Sequence, residues 1–375
     1  MNVALVLLTY QLDAPAGIER SIGALAVGLR QLGHRPVILT AASNRQTPRD
    51  VPVIRLRSVR LPYPAVEDDL LSALADPAPV VAEVRAVLDR HRIGLACWAD
   101  TSWGLGWLAP APPGVRTALM VRVPRRDRLF DLALARRPHA VLTNSRFVCQ
   151  QAAAAGYDTS AWRPVPNAVI STAEPPGPGE REALRRHGPV RLAARAEPQK
   201  GICQLIDAAP ARLGRPLQVA LAAAGFEYWP GMQQAVIDGC RLAAARAPTR
   251  VQILPGMPWA DVPAFFADAA VTVISSIEPE TFCNAAAEAL SVGTPVVGYH
   301  LGYLPELVGP AGLTVPLAAG ARGLWTAAAG LLADASAYQR AARAAPTRLL
   351  AHRPAAAARA FLVAVEARPA HSVLR

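Results

Sequence analysis

Lysine is nearly missing from this chain: among 39 lysine and arginine residues, Lys200 is the one lysine. Cysteine is scarce as well, with five residues at positions 97, 149, 203, 240 and 283. Their scatter makes neither a metal-binding spacing nor a disulfide framework, so the expectation is free thiols, no metal and a reducing cytoplasm. No apolar run reaches the length that a membrane span needs. The apolar opening at 2–9 has no basic flank and no small-residue cleavage site, and reads as a buried strand rather than a secretion signal. A Gly-x-Ser-x-Gly elbow, a Walker loop and a His-Glu-x-x-His pair are all absent, which removes the chemistries they carry. The run from Gly104 through Gly106 to Ala109 nominally fits a dinucleotide fingerprint. It lacks the glycine-to-helix setting near the chain start and a convincing acidic residue downstream.

What is present points to a large α/β chain. At 375 residues, 52% of them hydrophobic, the length suits two ordinary domains rather than one core. The net charge of +11 invites a nucleic-acid reading, but no zinc-finger, RNP-like or basic-zipper pattern accompanies it. The arginines are spread, with small clusters at 55–60 and 122–128. An anionic substrate, weak attraction to an anionic membrane surface, or a basic solvated surface from a GC-rich genome remain open. Short apolar runs alternate with helical patterns, as in parallel sheets. Strands are predicted at 3–8, 36–40, 53–56, 93–98, 118–123 and 140–143, with helices at 17–32, 69–91 and 146–155. A Pro/Gly-rich stretch at 175–179 interrupts the pattern. A second series follows, at 190–193, 217–221, 251–254, 271–275, 295–298 and 313–315, and then helical sequence from 318 to 367. These patterns predict two doubly wound sheets, with ligands at the carboxyl ends of their strands.

The stretch from Glu280 to Val297 says most about chemistry. Glu280 and Glu288 stand eight residues apart, a helix is predicted over 282–290, and Gly293-Thr294-Pro295 turns into an apolar strand. A helix start offers backbone N–H groups and a positive dipole end to a phosphate. Carboxylates on either side can each grip a pair of vicinal hydroxyls. A lone pair of this kind is more often a solvated helix face. Lys200 adds to it, because it lies at a predicted strand exit in Arg195-Ala-Glu197-Pro-Gln-Lys200-Gly201, where a compact ammonium is not equivalent to the arginine used everywhere else.

Together these blocks resemble the retaining glycosyltransferases of family 4, and the likeness runs from end to end. Ala16-Gly17-Ile-Glu-Arg20 is similar to the family's Gly-Gly-x-Glu/Ala-Arg loop, with Ala16 replacing one glycine. Gly33-His34, Thr143-Asn-Ser145, Pro166-Asn167-Ala168 and Leu301 to Glu306 resemble further landmarks, and Ala168, Ala194 and Tyr303 stand where glycine is usual.

The resemblance implies a GT-B fold, two Rossmann-like doubly wound domains facing a central cleft. It places an acceptor-binding domain at 1–170, a connection at 171–189, a donor-binding domain at 190–350 and a C-terminal helix at about 352–367 packed back on the first domain. The implied reaction moves a sugar from a nucleotide-diphosphate-sugar to a hydroxyl with retention, without cofactor or metal; no Asp-x-Asp motif is evident. Arg195 and Lys200 would neutralise the diphosphate, with Gly17, Phe282, Cys283 and Asn284 as backbone donors. Glu288 would hold the ribose, Glu280 the donor sugar, and Met257 would line the base pocket. Arg122 or its neighbour stands where many relatives carry a histidine that touches the donor sugar; either Arg122 takes over as a cationic contact or the sugar and acceptor geometry differ, and an ordinary strand-end residue is the competing role. Trp98, Asp100 and Trp103, with Trp107, lie among variable segments (12–16, 63–69 and 100–107) that would choose the acceptor; core packing is the competing role for the tryptophans. We expect a small soluble acceptor and no nucleic-acid partner; membrane association is the less favoured alternative, since neither a membrane anchor nor a long amphipathic basic helix is obvious. Cell-envelope lipids, a storage or thiol sugar and a secondary metabolite all suit the actinobacterial-looking composition, and we lean to the last. An epimerase, or an inactive nucleotide-sugar binder, is the alternative on the same fold.

Overall fold

The computed structural model describes residues 1–11, 17–43 and 51–367. The segment 12–16, including Ala16, lies outside them. The chain forms two compact units, one of Met1–Ala14, Ile18–Ala168 and His352–Arg375, the other of Pro15–Gly17 and Val169–Ala351.

The first unit has a sheet of seven strands: β1 (Asn2–Val6), β2 (Arg35–Ala42), β3 (Val53–Arg60), β4 (Leu95–Trp98), β5 (Arg116–Val121), β6 (Ala140–Thr143) and β7 (Arg163–Pro164). Their order is β3-β2-β1-β4-β5-β6-β7, and the pairings are parallel. Residues Val3 to Val6 are fully buried without alternation, as expected of a parallel strand covered on both faces. The helices are α1 (Gly17–Gln31), α2 (Glu67–Ala73), α3 (Ala78–Arg90), α4 (Arg128–Ala135) and α5 (Arg146–Ala154). The helix predicted over 69–91 is in fact two, because Pro77 disfavours helical backbone in the residue before it. Asp127 and Ser145 cap α4 and α5 by accepting from the Phe130 and Val148 amides.

The second unit repeats the plan with β8 (Val190–Arg195), β9 (Leu217–Ala222), β10 (Val251–Pro255), β11 (Val271–Ile274), β12 (Val296–Tyr299) and β13 (Gly312–Val315). Their order is β10-β9-β8-β11-β12-β13, again with parallel pairings. Both sheets thus reverse direction beside their first strand, the signature of a doubly wound domain. The helices are α6 (Pro178–His187), α7 (Ile202–Asp207), α8 (Met232–Arg246), α9 (Val262–Ala267), α10 (Asn284–Ser291), α11 (Leu304–Val308), α12 (Gly320–Ala333) and α13 (Ala335–Arg348).

The stretch 171–189, expected as a connection, contains α6 and clusters with the second unit. Arg181 explains why: it is buried and donates to Ala269 O, Val292 O and Thr294 Oγ1 at 2.9, 2.9 and 3.1 Å. The last helix, α14 (Pro354–Glu366), belongs to the first unit. Gly28 of α1 lets it approach, since a Cβ there would strike the Pro354 carbonyl.

Candidate functional site

Strand order decides where the second unit can bind a ligand. In a doubly wound sheet that place is outside the carboxyl ends, where the order reverses, and here it falls between β8 and β11. The chain leaves β8 at Arg195 and forms a short 3-10 turn over Pro198–Lys200. It leaves β11 at Ile274 and continues through Ser275 and Ser276 to Glu280. The two exits are tied together: Ser275 Oγ donates to Lys200 O at 2.7 Å, and Ile277 N–H donates to Gln199 O at 2.9 Å. Gly201 makes the approach tolerable, with φ of +62° and no room for a Cβ against Ser275 O.

That contact brings Lys200 and Glu280 together across the switch point. Lys200 Nζ donates to Glu280 Oε1 at 2.7 Å, and Ser276 Oγ donates to the same oxygen. Their side chains are 18% and 16% exposed, so water screens them little. Burial by itself would lower the lysine pKa and raise the glutamate pKa. The pair's mutual attraction outweighs both effects, with Ser276 and Arg195 also favouring the carboxylate, so Lys200 lies above its ordinary value and Glu280 below. Both stay charged at neutral pH. A loop after β12 supports the glutamate from behind, where Tyr303 N–H donates to Glu280 O at 2.8 Å.

Arg195 is held differently. It lies 2.8 Å from Glu197 Oε1, and Glu197 is 2% exposed. The other Glu197 oxygen accepts from Gln199 Nε2 at 3.1 Å, and Gln199 Nε2 also donates to Tyr228 OH at 3.1 Å. Each cation is thus positioned by its own carboxylate before any ligand arrives. An ammonium has three donors, of which Glu280 takes one.

The helix expected from 282 begins two residues later, at Asn284. Cys283 is the reason: its φ of +74° is left-handed, a conformation that cannot continue a helix. Burial pushes its thiol pKa well up, with the Glu280 charge adding to that effect, so it is no thiolate nucleophile. Phe282 is buried and stacks on Tyr303 at 6.1 Å between ring centroids. Glu288 lies along α10 and is itself buried. Neither Glu280 nor Glu288 is therefore on a solvated helix face. Met257 follows β10, half-buried against the core cluster to which Phe282 belongs.

Gly17, the first residue of α1, clusters with the second unit, and a Cβ there would strike the Asn284 side-chain amide. The remaining predicted residues lie elsewhere in the fold. In the first unit, Trp98 is part of β4 and 1% exposed, and Trp103 is buried with its carbonyl accepting from Leu8 N–H at 2.8 Å. Asp100 Oδ1 accepts from the Ser102 and Trp103 amides at 2.9 and 3.0 Å, shaping the loop after β4. Arg122 follows β5, buried. Sequence reasoning missed Glu197, Gln199, Ser276 and Tyr228 as members of the second-unit cluster. Glu197 was available as the acidic residue of the Lys200 motif; the others carry no signal until the loops are placed.

Residues 190–334 match the family described as Glycosyl transferases group 1. The second unit carries a glycosyltransferase domain. Solved structures extend the likeness over the whole chain. An Anabaena protein, HepE, solved with UDP and glucose, superposes with a TM-score of 0.75 at 19% identity, covering 98% of this chain and 100% of that one. A sucrose-phosphate synthase from Thermosynechococcus elongatus gives 0.74 at 19% identity, covering 97% and 98%. A glycosyltransferase involved in avilamycin A biosynthesis gives 0.63 at 20% identity, covering 99% of both. At such identities the likeness is one of fold, and that fold is GT-B. A sequence search against curated proteins returns no match. In the glycosyltransferase domain, the matched stretch contains the whole Arg195–Lys200–Glu280 cluster and all of α10.

Proposed function

We propose that the chain is a retaining, metal-independent glycosyltransferase that moves a sugar from a nucleoside-diphosphate-sugar to a hydroxyl of a small acceptor. The observation that carries this reading is the Lys200–Glu280 pair, set beside Arg195 at the switch point of the second sheet. Arg195 and Lys200 neutralise the leaving diphosphate, helped by the first-turn amides of α10. Glu288 holds the ribose diol, and Met257 lines the base pocket. Glu280 binds sugar hydroxyls; one of its oxygens is already engaged by Lys200 and Ser276, which suits a positioning carboxylate better than a nucleophile.

In the reaction, the bond between the anomeric carbon and the diphosphate oxygen breaks. The acceptor oxygen bonds to the same face of that carbon, and its proton passes to the departing phosphate oxygen. Retention follows without a covalent sugar–protein intermediate. The UDP and UDP-glucose complexes of HepE support a uridine donor. For the acceptor we favour a small secondary metabolite, met in the cytoplasm.

The test is turnover of UDP-, GDP- and ADP-sugars against an acceptor panel, with product configuration read by NMR. Transfer with the anomeric configuration kept is the expected result. An inverted product, or donor epimerisation without any acceptor, would remove the assignment.

A further inference from the structure

The cysteines of this chain are free thiols, and two of them touch. Cys203 lies in the first turn of α7 and Cys240 in α8, with their sulfurs 3.2 Å apart and one S–H donating to the other sulfur. The two helices pack against each other. Cys240 is fully buried in the core of the second unit, whereas Cys203 is partly exposed at its edge. Gly239 leaves space beside the outer sulfur, since a Cβ there would sit 3.6 Å from Cys203 Sγ. The other thiols belong to other elements: Cys97 to β4 and Cys149 to α5 in the first unit, and Cys283 to the residue before α10.

Two sulfurs in contact need little rearrangement to bond. Closing 3.2 Å to the disulfide distance of about 2.0 Å takes about 1.2 Å of relative movement. The two thiols are not equivalent. Burial pushes the Cys240 thiol pKa well up, and the neighbouring Cys203 adds to that effect, so Cys240 is the poorer first nucleophile. Cys203 is the sulfur that a reagent in solvent can reach. Once Cys203 has reacted, Cys240 is already within attacking distance, an advantage that offsets its low thiolate fraction. In a reducing compartment such a bond is transient and redox-sensing rather than a structural staple.

We propose that Cys203 and Cys240 form a reversible disulfide that couples the turn carrying Lys200 to the redox state of its surroundings. The oxidant is a low-molecular-weight disulfide. The Cys203 thiolate attacks one of its sulfurs, breaks the S–S bond and releases one thiolate, leaving Cys203 in a mixed disulfide. The Cys240 thiolate then attacks Cys203 Sγ and releases the second. Two protons leave the pair and two electrons pass to the oxidant, which ends as two thiols. The coupling follows from chain connection. Helix α7 starts at Ile202, directly after Lys200 and Gly201, and that turn is tied to the β11 exit through Ser275 and Ile277. Helix α8 joins β9 to β10, which lie on the opposite side of β8 from β11. Drawing Cys203 toward Cys240 therefore pulls the Lys200 turn away from Ser275 and Ile277. A consequence for nucleotide binding rests on the function proposed above; the disulfide and its pull on the turn do not.

The test is incubation of the full chain with oxidised glutathione, followed by thiol counting in denaturant and peptide mass spectrometry. The five thiols should fall by two, with the mass lower by two hydrogens and a peptide joining 203 to 240; dithiothreitol should restore them. Cys240→Ala should stop at a glutathione adduct on Cys203, and Cys203→Ser should form no bond at 240. The Ile277 amide, which donates to Gln199 O, should lose hydrogen-exchange protection on oxidation of the native chain and keep it in Cys203→Ser. UDP binding should weaken about fivefold or more on oxidation and recover on reduction. No loss of thiols, a persistent glutathione adduct on the native chain, or bonding of either cysteine to a different one would overturn the disulfide. Unchanged Ile277 protection in the oxidised chain, or equal UDP affinity in the two forms, would overturn the coupling. If the reduced chain binds no UDP at all, the glycosyltransferase reading fails, while the thiol count and the Ile277 exchange still decide this proposal.

Discussion

Removing either partner of the Lys200–Glu280 pair should destabilise the second unit strongly, while removing both should cost less. At the observed separation of 2.7 Å, the attraction is about 6 kcal/mol for an effective dielectric constant of about 20. Most of that offsets the desolvation of the two ions. What a single truncation exposes is a stranded charge, which costs about 3–5 kcal/mol when fully buried. With 18% and 16% of the side chains still exposed, the lower end, about 3 kcal/mol, is the expected loss for Glu280→Ala or Lys200→Ala. The double variant Lys200→Met, Glu280→Leu leaves no stranded charge and should recover about half or more of it. Urea unfolding, followed by hydrogen exchange of peptides from 190–334, reads the second unit directly. If each single truncation cost less than about 0.5 kcal/mol, the pair would be behaving as a solvent-screened surface bridge, and the argument from burial would fail.

The depressed Glu280 pKa sets a pH window. Its contribution is complete above the ordinary carboxylate range and is lost as pH falls through the lower folded value, so the stability gap between the native chain and Glu280→Gln should narrow below about pH 4. The raised Lys200 pKa gives the opposite edge; that contribution is present below about pH 10 and disappears as pH rises through the folded value, as alkaline unfolding of Lys200→Met against the native chain would show. Gly201→Ala should lower stability by about 1–3 kcal/mol and disturb nucleotide binding, since a left-handed residue with a Cβ would force apart the two loops that carry the pair; unchanged melting and binding would contradict this. Turnover should survive exhaustive chelation, and a requirement for added magnesium or manganese would refute the cation-based mechanism.

The strands of both sheets are legible in the sequence because parallel strands covered on both faces read as short apolar runs bounded by turns. The predicted runs all coincide with observed strands, whereas β7, two residues long and ending in Pro164 at the sheet edge, is too short to leave a pattern. Pro77 divides a helix that periodicity alone joins. The α10 start was misplaced because nothing in a cysteine announces a positive φ. The Lys200 and Glu280 motifs mark the cluster, but their direct contact is not readable from motifs 80 positions apart. It depends on the β8–β11 adjacency and on the Ser275 and Ile277 hydrogen bonds. Arg122 shows the opposite limit. Its position after a strand is plain in the sequence, while its burial is a property of the folded unit alone.

The most direct measurement is calorimetric binding of nucleoside diphosphates, with chelator present, to the native chain and to Lys200→Ala and Glu288→Ala. One nucleoside diphosphate should bind the native chain without metal. Lys200→Ala should weaken it about tenfold or more by loss of a charge-assisted contact to phosphate. Glu288→Ala should weaken the diphosphate but leave inorganic pyrophosphate, which has no ribose, unaffected. Failure of every nucleoside diphosphate to bind, or equal affinity in all three proteins, would contradict the assignment of a nucleotide-sugar site to the second unit.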